Sequence, residues 1–268
     1  MPQPLDQIST AFNQNHTAFM PYFTLGYPDY ETSLVIVQAL AEGGADLIEL
    51  GLPFSDPLAD GPTIQHSTQV ALRNGMNLKR CLDAVRELRV RGVEIPFMLM
   101  GYFNPIVAFG VEAFATAACE VGANGFIIPD LPPEEAEVLE AACQRLGLGL
   151  AFLLAPTSTA ERIQLVTEKA TGFTYLVSLT GITGARAQLS DELGEFVARV
   201  RQEARTPLAV GFGISTPEQA RTVGAIADGV IVGSKLINIA SSADDPVDAC
   251  RAFVEDMVSA LQTTSISE

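Results

Sequence analysis

The stretch ELGLPFSDPLADG, residues 49–61, places three carboxylates and two prolines together without a positive charge. Glu49 ends an apolar run and lies on the face opposite Ile48 and Leu50, because strand side chains alternate. We therefore expect it to point into a core, where an unpaired carboxylate has a raised pKa. Such a group can take up and release a proton near neutral pH. The alternative is that Glu49 pairs with a buried basic side chain.

Asp60 is the second candidate, and it stands directly before Gly61 and Pro62. Pro62 suits the first turn of a helix, so the Asp60 carboxylate should lie near a helix N-terminus. A simple helix cap is one interpretation of such an aspartate. The other is chemical, since a reaction in which one group moves a proton and another stays ionised needs two carboxylates in different environments.

Three glycine-rich turns follow later apolar runs, at 181–185 (GITGA), 211–215 (GFGIS) and 233–235 (GSK). Glycine lets backbone N–H groups converge, and a helix N-terminus adds positive potential, so such turns can bind a phosphate monoester. The second turn lacks the third glycine and the early position of a dinucleotide fingerprint. The three turns therefore predict a phosphate site, with plain chain reversal as the alternative.

Eight short apolar runs, bounded by Gly, Ala or Pro, must position these residues. They are 18–25, 45–50, 95–100, 124–129, 149–154, 173–179, 207–210 and 228–232. Alternating strands and helices predict an α/β fold with a parallel sheet covered by helices. Eight units in 268 residues favour a closed (β/α)8 TIM barrel over a doubly wound open sheet. In such a barrel the chemistry belongs at the carboxyl ends of the strands.

Segments with helical spacing lie between the apolar runs. They are 31–42, 62–74, 77–91, 133–146, 160–170 and 191–205, with a last helix at 246–262 and an extra N-terminal helix within 4–14, below the barrel. No linker or low-complexity tract divides the chain. We therefore expect residues 1–268 to form a single TIM-barrel domain with a fraying tail at about 263–268.

Composition and charge exclude several classes of protein. Sixteen basic against 32 acidic residues give a net charge of −16, which repels nucleic acid and anionic membranes. No apolar run approaches the roughly 20 residues of a membrane span, and the N-terminus lacks signal-peptide features, so we expect a cytoplasmic protein. Two isolated histidines argue against a transition-metal site. Four scattered cysteines indicate reduced packing thiols: Cys81, Cys119, Cys143 and Cys250.

Four segments of the chain resemble the alpha chain of tryptophan synthase. They are ELGLPFSDPLADGPTIQ (49–65), FTYLVSLTGITGAR (173–186), VGFGIS (210–215) and GVIVGS (229–234). The resemblance implies a lyase of tryptophan biosynthesis that cleaves indole-3-glycerol phosphate to indole and glyceraldehyde 3-phosphate, a retro-aldol reaction with no cofactor in this chain. It also implies a partner beta chain that carries pyridoxal phosphate and receives the indole, in a heterotetramer of two alpha and two beta chains.

The resemblance also implies roles for individual residues. By position, Glu49 would protonate the indole ring carbon and help to remove the glycerol hydroxyl proton, and Asp60 would accept a hydrogen bond from the ring nitrogen. Contacts to the substrate would come from Tyr22, Ile64, Tyr102, Ile127, Tyr175 and Thr183, although core packing is the alternative for the two isoleucines. Contacts to the phosphate would come from Gly184, Phe212, Gly213, Gly233 and Ser234. Asp56 and Pro57, at the loop tip, would meet the partner chain.

Other functions stay open at this point. Phosphate-binding barrels such as prenylglyceryl phosphate synthase, or the synthase that makes indole-3-glycerol phosphate, share the glycines. The latter would be expected to use a strand-borne lysine, which is absent from the first five predicted strands. The chain could also be a stand-alone lyase that releases free indole, or a non-catalytic regulatory subunit of a beta chain. The presence of both Glu49 and Asp60 argues against the regulatory subunit.

Overall fold

The computed structural model of the protein describes residues 3–178, 186–211 and 213–262. These residues contain nine parallel strands: β1 (Ala18–Thr24), β2 (Ile48–Gly51), β3 (Phe97–Met100), β4 (Gly125–Ile127), β5 (Gly149–Ala151), β6 (Leu153–Leu154), β7 (Thr174–Val177), β8 (Leu208–Gly211) and β9 (Gly229–Val232). Their order in the sheet is β5-β4-β3-β2-β1-β9-β8-β7-β6. Only Phe152 separates β5 from β6, which stand at the two ends of this order. The segment therefore closes the sheet into the predicted barrel.

The eight predicted strands are confirmed, and the fifth is divided in two. The first half of the segment 149–154 pairs with β4 and the second half pairs with β7. Between the halves, the carbonyl of Phe152 accepts a hydrogen bond from the backbone N–H of Tyr175 at 3.0 Å. The change of partner at Phe152 is the physical reason for the division.

Helices surround the barrel and alternate with its strands. They are α1 (Pro4–Phe12), α2 (Tyr30–Glu42), α3 (Pro62–Arg73), α4 (Leu78–Val90), α5 (Phe103–Phe109), α6 (Val111–Glu120), α7 (Glu137–Leu146), α8 (Ala160–Lys169), α9 (Arg186–Arg201), α10 (Pro217–Gly224), α11 (Ser234–Ser242) and α12 (Pro246–Gln262). The doubled helix after β2 is confirmed. The predicted helix 133–146 begins instead as a 3₁₀ turn, Pro133–Glu135, and α9 begins at Arg186 rather than at residue 191.

Strand side chains alternate between the barrel interior and the helix layer. On β2, Ile48 and Leu50 pack into the outer core with the helices. Leu47 belongs to the interior cluster, together with Met20, Met98, Ile127, Ala151, Tyr175, Ala209 and Ile231. Alternation therefore turns Glu49 inward as predicted, level with Tyr22 of β1 and Met98 of β3.

Helix α1 closes the end of the barrel at which the strands begin, as predicted. Ile8 is completely buried, and its side chain lies where a Cβ on Gly149, the first residue of β5, would be placed. The backbone N–H of Leu5 donates to the carbonyl of Gly147 at 2.9 Å. The Asn124 side chain donates to the carbonyl of Pro4 at 3.1 Å. Helix α1 therefore covers this end of the barrel.

The cysteines are free thiols, as predicted: Cys81, Cys143 and Cys250 are buried and Cys119 is half-buried. Within residues 3–178, 186–211 and 213–262, no group of three or more His, Cys, Asp or Glu side chains is arranged to hold a metal ion. No helix in the described part of the chain is long and apolar enough to cross a membrane.

Candidate active site

A cavity of about 300 Å³ lies at the carboxyl ends of the strands. Five strands, the N-terminal parts of α3 and α11, and the loops after β2 and β8 contribute its lining: Tyr22, Glu49, Asp60, Gly61, Ile64, Met100, Tyr175, Gly213, Ile214, Ser215, Ile231, Gly233, Ser234, Lys235 and Asn238. The cavity brings together both candidate carboxylates and the last two of the three glycine turns.

Glu49 is completely buried at the floor of this cavity. Neither oxygen of its carboxyl group has a hydrogen-bond partner among the described residues. Burial raises the pKa of Glu49 well above its ordinary value. The alternative of a buried basic partner is therefore wrong for the described part of the chain. A carboxyl group with a raised pKa holds its proton more readily and is suited to donate it to a molecule in the cavity.

Asp60 lies in a different environment from Glu49. Burial raises its pKa to about 6, and a hydrogen bond from the Tyr102 hydroxyl opposes part of that rise. The N-cap of α3 is Gly61, and no side chain caps this helix, so the interpretation of Asp60 as a cap is wrong. At neutral pH Asp60 is therefore mostly ionised, whereas burial without a hydrogen-bond partner favours the protonated form of Glu49. The cavity thus holds two carboxyl groups in different environments.

Tyr102 anchors the loop that carries Asp60. Its hydroxyl accepts a hydrogen bond from the backbone N–H of Ala59 at 3.0 Å and donates one to the Asp60 carboxylate. The ring of Phe54 lies 5.5 Å from the Tyr102 ring, centroid to centroid. Tyr102 itself is not among the residues that line the cavity. Through this hydrogen bond it orients the Asp60 carboxylate.

Two buried tyrosines complete the cavity floor, and glycines at the ends of neighbouring strands make room for them. A Cβ on Gly51 would overlap the Tyr22 hydroxyl, and a Cβ on Gly211 would overlap the Tyr175 hydroxyl. Burial raises the pKa of both hydroxyls, so both are neutral hydrogen-bonding groups. Any larger residue at the two glycine positions would displace a tyrosine from the site.

The opposite side of the cavity is suited to an anion. Gly213 has φ of +80°, a conformation that favours glycine. Gly233 is the N-cap of α11, whose first backbone N–H groups have no partner within the helix. Among the described residues that line the cavity, Lys235 is the one basic side chain. The helix N-terminus and this lysine place positive potential at the rim of an otherwise acidic protein.

The structure places the remaining predicted residues as follows. Ile127 lies in the barrel interior, paired in register with Met100, and is not among the lining residues. Asp56 is exposed at the loop tip and Pro57 is half-buried beside it. Thr183, Gly184 and Phe212 lie outside the described residues.

Sequence reasoning did not name seven of the lining residues as site residues: Gly61, Met100, Ile214, Ser215, Ile231, Lys235 and Asn238. Met100 was detectable, because it ends a predicted strand on the same face as the inward-pointing Met98. Asn238 was detectable from Ser234, because residues four apart lie on one face of a helix. Lys235 stands inside the quoted GSK turn, but no local pattern directed it to the cavity.

The fold and the cavity together define a (β/α)8-barrel enzyme with acid and base groups at the carboxyl ends of its strands. The family model of the tryptophan synthase alpha chain matches residues 8–264. The chain is 49% identical over 253 residues to the tryptophan synthase alpha chain of Dehalococcoides mccartyi, which covers 94% of this chain and 98% of that one.

Solved structures agree with the family model. Tryptophan synthase subunit alpha from Legionella pneumophila matches with a TM-score of 0.90 and 38% identity, over 98% of this chain and 100% of that one. Tryptophan synthase from Mycobacterium tuberculosis matches with a TM-score of 0.87 and 36% identity, over 98% and 99%. The chain belongs to the tryptophan synthase alpha chain family, a family of lyases in tryptophan biosynthesis.

Proposed function

We propose that this chain cleaves indole-3-glycerol phosphate to indole and glyceraldehyde 3-phosphate, with Glu49 and Asp60 as its catalytic residues. The observation that carries the proposal is the buried carboxyl group of Glu49, which has no hydrogen-bond partner among the described residues and lies in the same cavity as a second carboxylate, Asp60. Burying such a group without a partner costs free energy, so its retention is best explained by chemistry.

In this mechanism Glu49 donates its proton to the ring carbon that bears the glycerol chain. Positive charge then develops on the ring nitrogen, and the ionised Asp60 stabilises it by accepting a hydrogen bond from the N–H group. The hydroxyl next to that carbon returns a proton to Glu49, and the carbon–carbon bond breaks. The electron pair of that bond restores the neutral ring, and the hydroxyl carbon becomes the aldehyde. Glu49 ends protonated, as it began.

The two sides of the cavity support one orientation of the substrate. The ring would lie among Tyr22, Ile64 and Tyr175 near the carboxylates. The phosphate would lie at Gly213, Gly233 and Ser234, where the N-terminus of α11 opens onto the cavity. The predicted contacts of Thr183, Gly184 and Phe212 stay predictions.

Turnover by the purified chain tests the proposed function. Incubation with indole-3-glycerol phosphate should release indole and glyceraldehyde 3-phosphate in equal amounts, without any added cofactor. Release of neither product, with or without a beta chain, would favour the non-catalytic regulatory subunit. Indoleglycerol without its phosphate is the control substrate and should be cleaved with a much higher KM.

Lys235→Met should raise KM for indole-3-glycerol phosphate about tenfold and leave kcat within about twofold. Lys235 offers a partly exposed positive charge to the phosphate, and such an ion pair contributes on the order of 1 kcal/mol. The phosphate is remote from the bond that breaks, so the loss falls on binding. Lys79→Met removes the same charge from the exposed surface of α4 and is the control. Equal KM values in the two variants would place the phosphate away from Lys235.

We also propose that a beta chain binds the loop 52–61. Support comes from the M. tuberculosis relative, which is a tryptophan synthase, and from the loop tip, which presents an apolar side chain, Leu58, that is 93% exposed. A single exposed apolar side chain is common on protein surfaces, so the support from Leu58 lies in its position at the loop tip that the family resemblance assigns to the partner contact. The heterotetramer, the pyridoxal phosphate of the beta chain and the cytoplasmic location stay predictions.

Leu58→Asp should weaken binding of the beta chain at least tenfold, because it places a charge where the loop tip would be buried in the interface. Asp56→Ala should weaken binding less. Titration of the beta chain, followed by affinity and indole turnover, measures both. Val138→Asp introduces a charge at another exposed apolar position, 54% exposed on α7, and is the control. Equal affinity of wild type and Leu58→Asp would show that the loop tip does not contact the partner.

A further inference from the structure

A chain of three buried hydroxyl groups runs from helix α3 to the cavity. The Tyr22 hydroxyl lies 3.3 Å from the Oγ1 of Thr24, and that Oγ1 lies 2.7 Å from the Oγ of Ser67. The Ser67 hydroxyl in turn donates to the carbonyl of Ile64 at 2.9 Å. Thr24 and Ser67 are completely buried, and Tyr22 is nearly so. This series of hydroxyl groups therefore connects α3, the helix that follows Asp60, to β1, the strand that pairs with the strand of Glu49.

The direction of these hydrogen bonds follows from the number of protons. A carbonyl oxygen has none, so Ser67 must donate its single hydroxyl proton to Ile64. The Ser67 oxygen then accepts from Thr24, and the Thr24 oxygen accepts from Tyr22. The Tyr22 proton thus points away from the cavity, and the remaining acceptor capacity of its oxygen is available to a ligand there.

Packing holds the Tyr22 side chain in this position. Its hydroxyl occupies the space that a Cβ on Gly51 would need. On its other side, a Cβ on Gly233 would lie 3.3 Å from the Tyr22 ring. Tyr22 is also directly opposite Glu49 in the register of β1 and β2. Its oxygen is therefore a preorganised acceptor in the cavity that Glu49 also lines.

We propose that Tyr22 accepts a hydrogen bond from a glycerol hydroxyl of the substrate, and that Thr24 and Ser67 are positioning residues that orient it for this role. The proposal rests on the proposed function, because it assumes a substrate with hydroxyl groups beside Glu49. The ring N–H is assigned to Asp60, which leaves the glycerol hydroxyls as the donors near Tyr22. Without Thr24 as an acceptor, the Tyr22 hydroxyl could turn its own proton toward the cavity. It would then present a donor to a substrate hydroxyl that is also a donor.

A double-mutant cycle on indole-3-glycerol phosphate cleavage tests the proposal. Tyr22→Phe should lower kcat/KM about tenfold, in line with one lost hydrogen bond. Thr24→Val should lower it about fivefold, because it removes the acceptor of the Tyr22 proton. The double variant should be no worse than Tyr22→Phe, since Thr24 acts only through Tyr22. Thr24→Ser keeps the hydroxyl and should restore most of the activity.

Thr174→Val is the matched control for Thr24→Val. Thr174 is also completely buried on a barrel strand, and its hydroxyl lies 3.0 Å from that of Thr206, but it is at the first residue of β7, away from the cavity. This variant should retain wild-type kcat/KM. Additive losses in the double variant, or unchanged kcat/KM in a folded Thr24→Val protein, would overturn the proposal.

A measurement without turnover separates this proposal from the proposed function. With labelled tyrosine, the hydroxyl proton of Tyr22 should show a nuclear Overhauser contact to the γ-methyl group of Thr24. A hydroxyl proton of Tyr22 that exchanges freely and lacks this contact would overturn the inferred direction even if the wild type is active. Wild-type protein that shows the contact but releases no indole would instead contradict the proposed function and, with it, the assigned glycerol donor.

Discussion

Glu49→Gln should lower kcat for indole release by about 10²- to 10⁴-fold, the usual loss when a general acid is removed. The amide keeps the shape of the carboxyl group but cannot give up a proton and recover it. KM should change by no more than about threefold, because the phosphate and the ring are held elsewhere in the cavity. Steady-state kinetics of indole formation measure both constants. Retention of more than a tenth of wild-type kcat would remove Glu49 from the mechanism.

The stability of the same variant gives an independent check. Burial raises the folded-state pKa of Glu49 above its unfolded value. The stability that this group contributes is therefore fully present below the unfolded pKa and is lost as pH rises through the folded pKa. Glutamine does not ionise, so Glu49→Gln should lose less stability than wild type on raising the pH. Urea unfolding at pH 5 and pH 9 measures the difference, and an identical loss in both proteins would contradict the assigned pKa.

Asp46→Asn provides a matched control for Glu49→Gln. Burial also raises the pKa of Asp46, but its carboxylate is paired, accepting from the backbone N–H of Phe19 at 2.8 Å and lying 3.0 Å from His16. It does not line the cavity. This substitution should lower stability, because it disturbs satisfied hydrogen bonds, and should leave kcat of the folded protein unchanged.

Asp60→Asn should lower kcat about 10²- to 10³-fold, as expected when a preorganised electrostatic contact to a developing charge is lost. The wild-type kcat/KM should fall as pH drops through about 6, because the pKa of Asp60 is raised to about 6 by burial and the protonated form cannot stabilise the cation. The asparagine variant should lack this acidic limb. A pH profile of kcat/KM from pH 5 to 8 shows whether the limb is present.

Asp56→Asn is the control for Asp60→Asn, since it makes the same change in the same loop at an exposed position. The isolated chain with this substitution should keep the wild-type kcat and the acidic limb. An unchanged limb in Asp60→Asn would assign the titration near pH 6 to another group. Loss of the limb in both variants would indicate that the loop as a whole, rather than one carboxylate, had moved.

Much of the barrel was predictable, because its strands are short apolar runs between turn-forming residues. Two of the helices that sequence reasoning did not specify, α5 and α10, show why other parts of the fold were harder to predict. Helix α5 (Phe103–Phe109) has the sequence FNPIVAF, which contains a proline and no helical period. Helix α10 (Pro217–Gly224) is only 8 residues long. Helix α10 does carry a local start signal, the capping box of Thr216 and Gln219 with Pro217 at its first turn. Helices this short are marginal on their own and are stabilised by packing against neighbouring elements.

The sequence by itself determined the inward direction of Glu49, because alternation along β2 is a local property, and it determined the family, because the loop 49–65 is distinctive. Tertiary structure alone decided that Glu49 has no partner and that Tyr102 holds Asp60. It also decided that Thr24 meets Ser67, 43 positions away along the chain. The physical reason is that burial, pKa and hydrogen bonding depend on neighbours from distant strands and helices, and their distances are set only when the barrel closes.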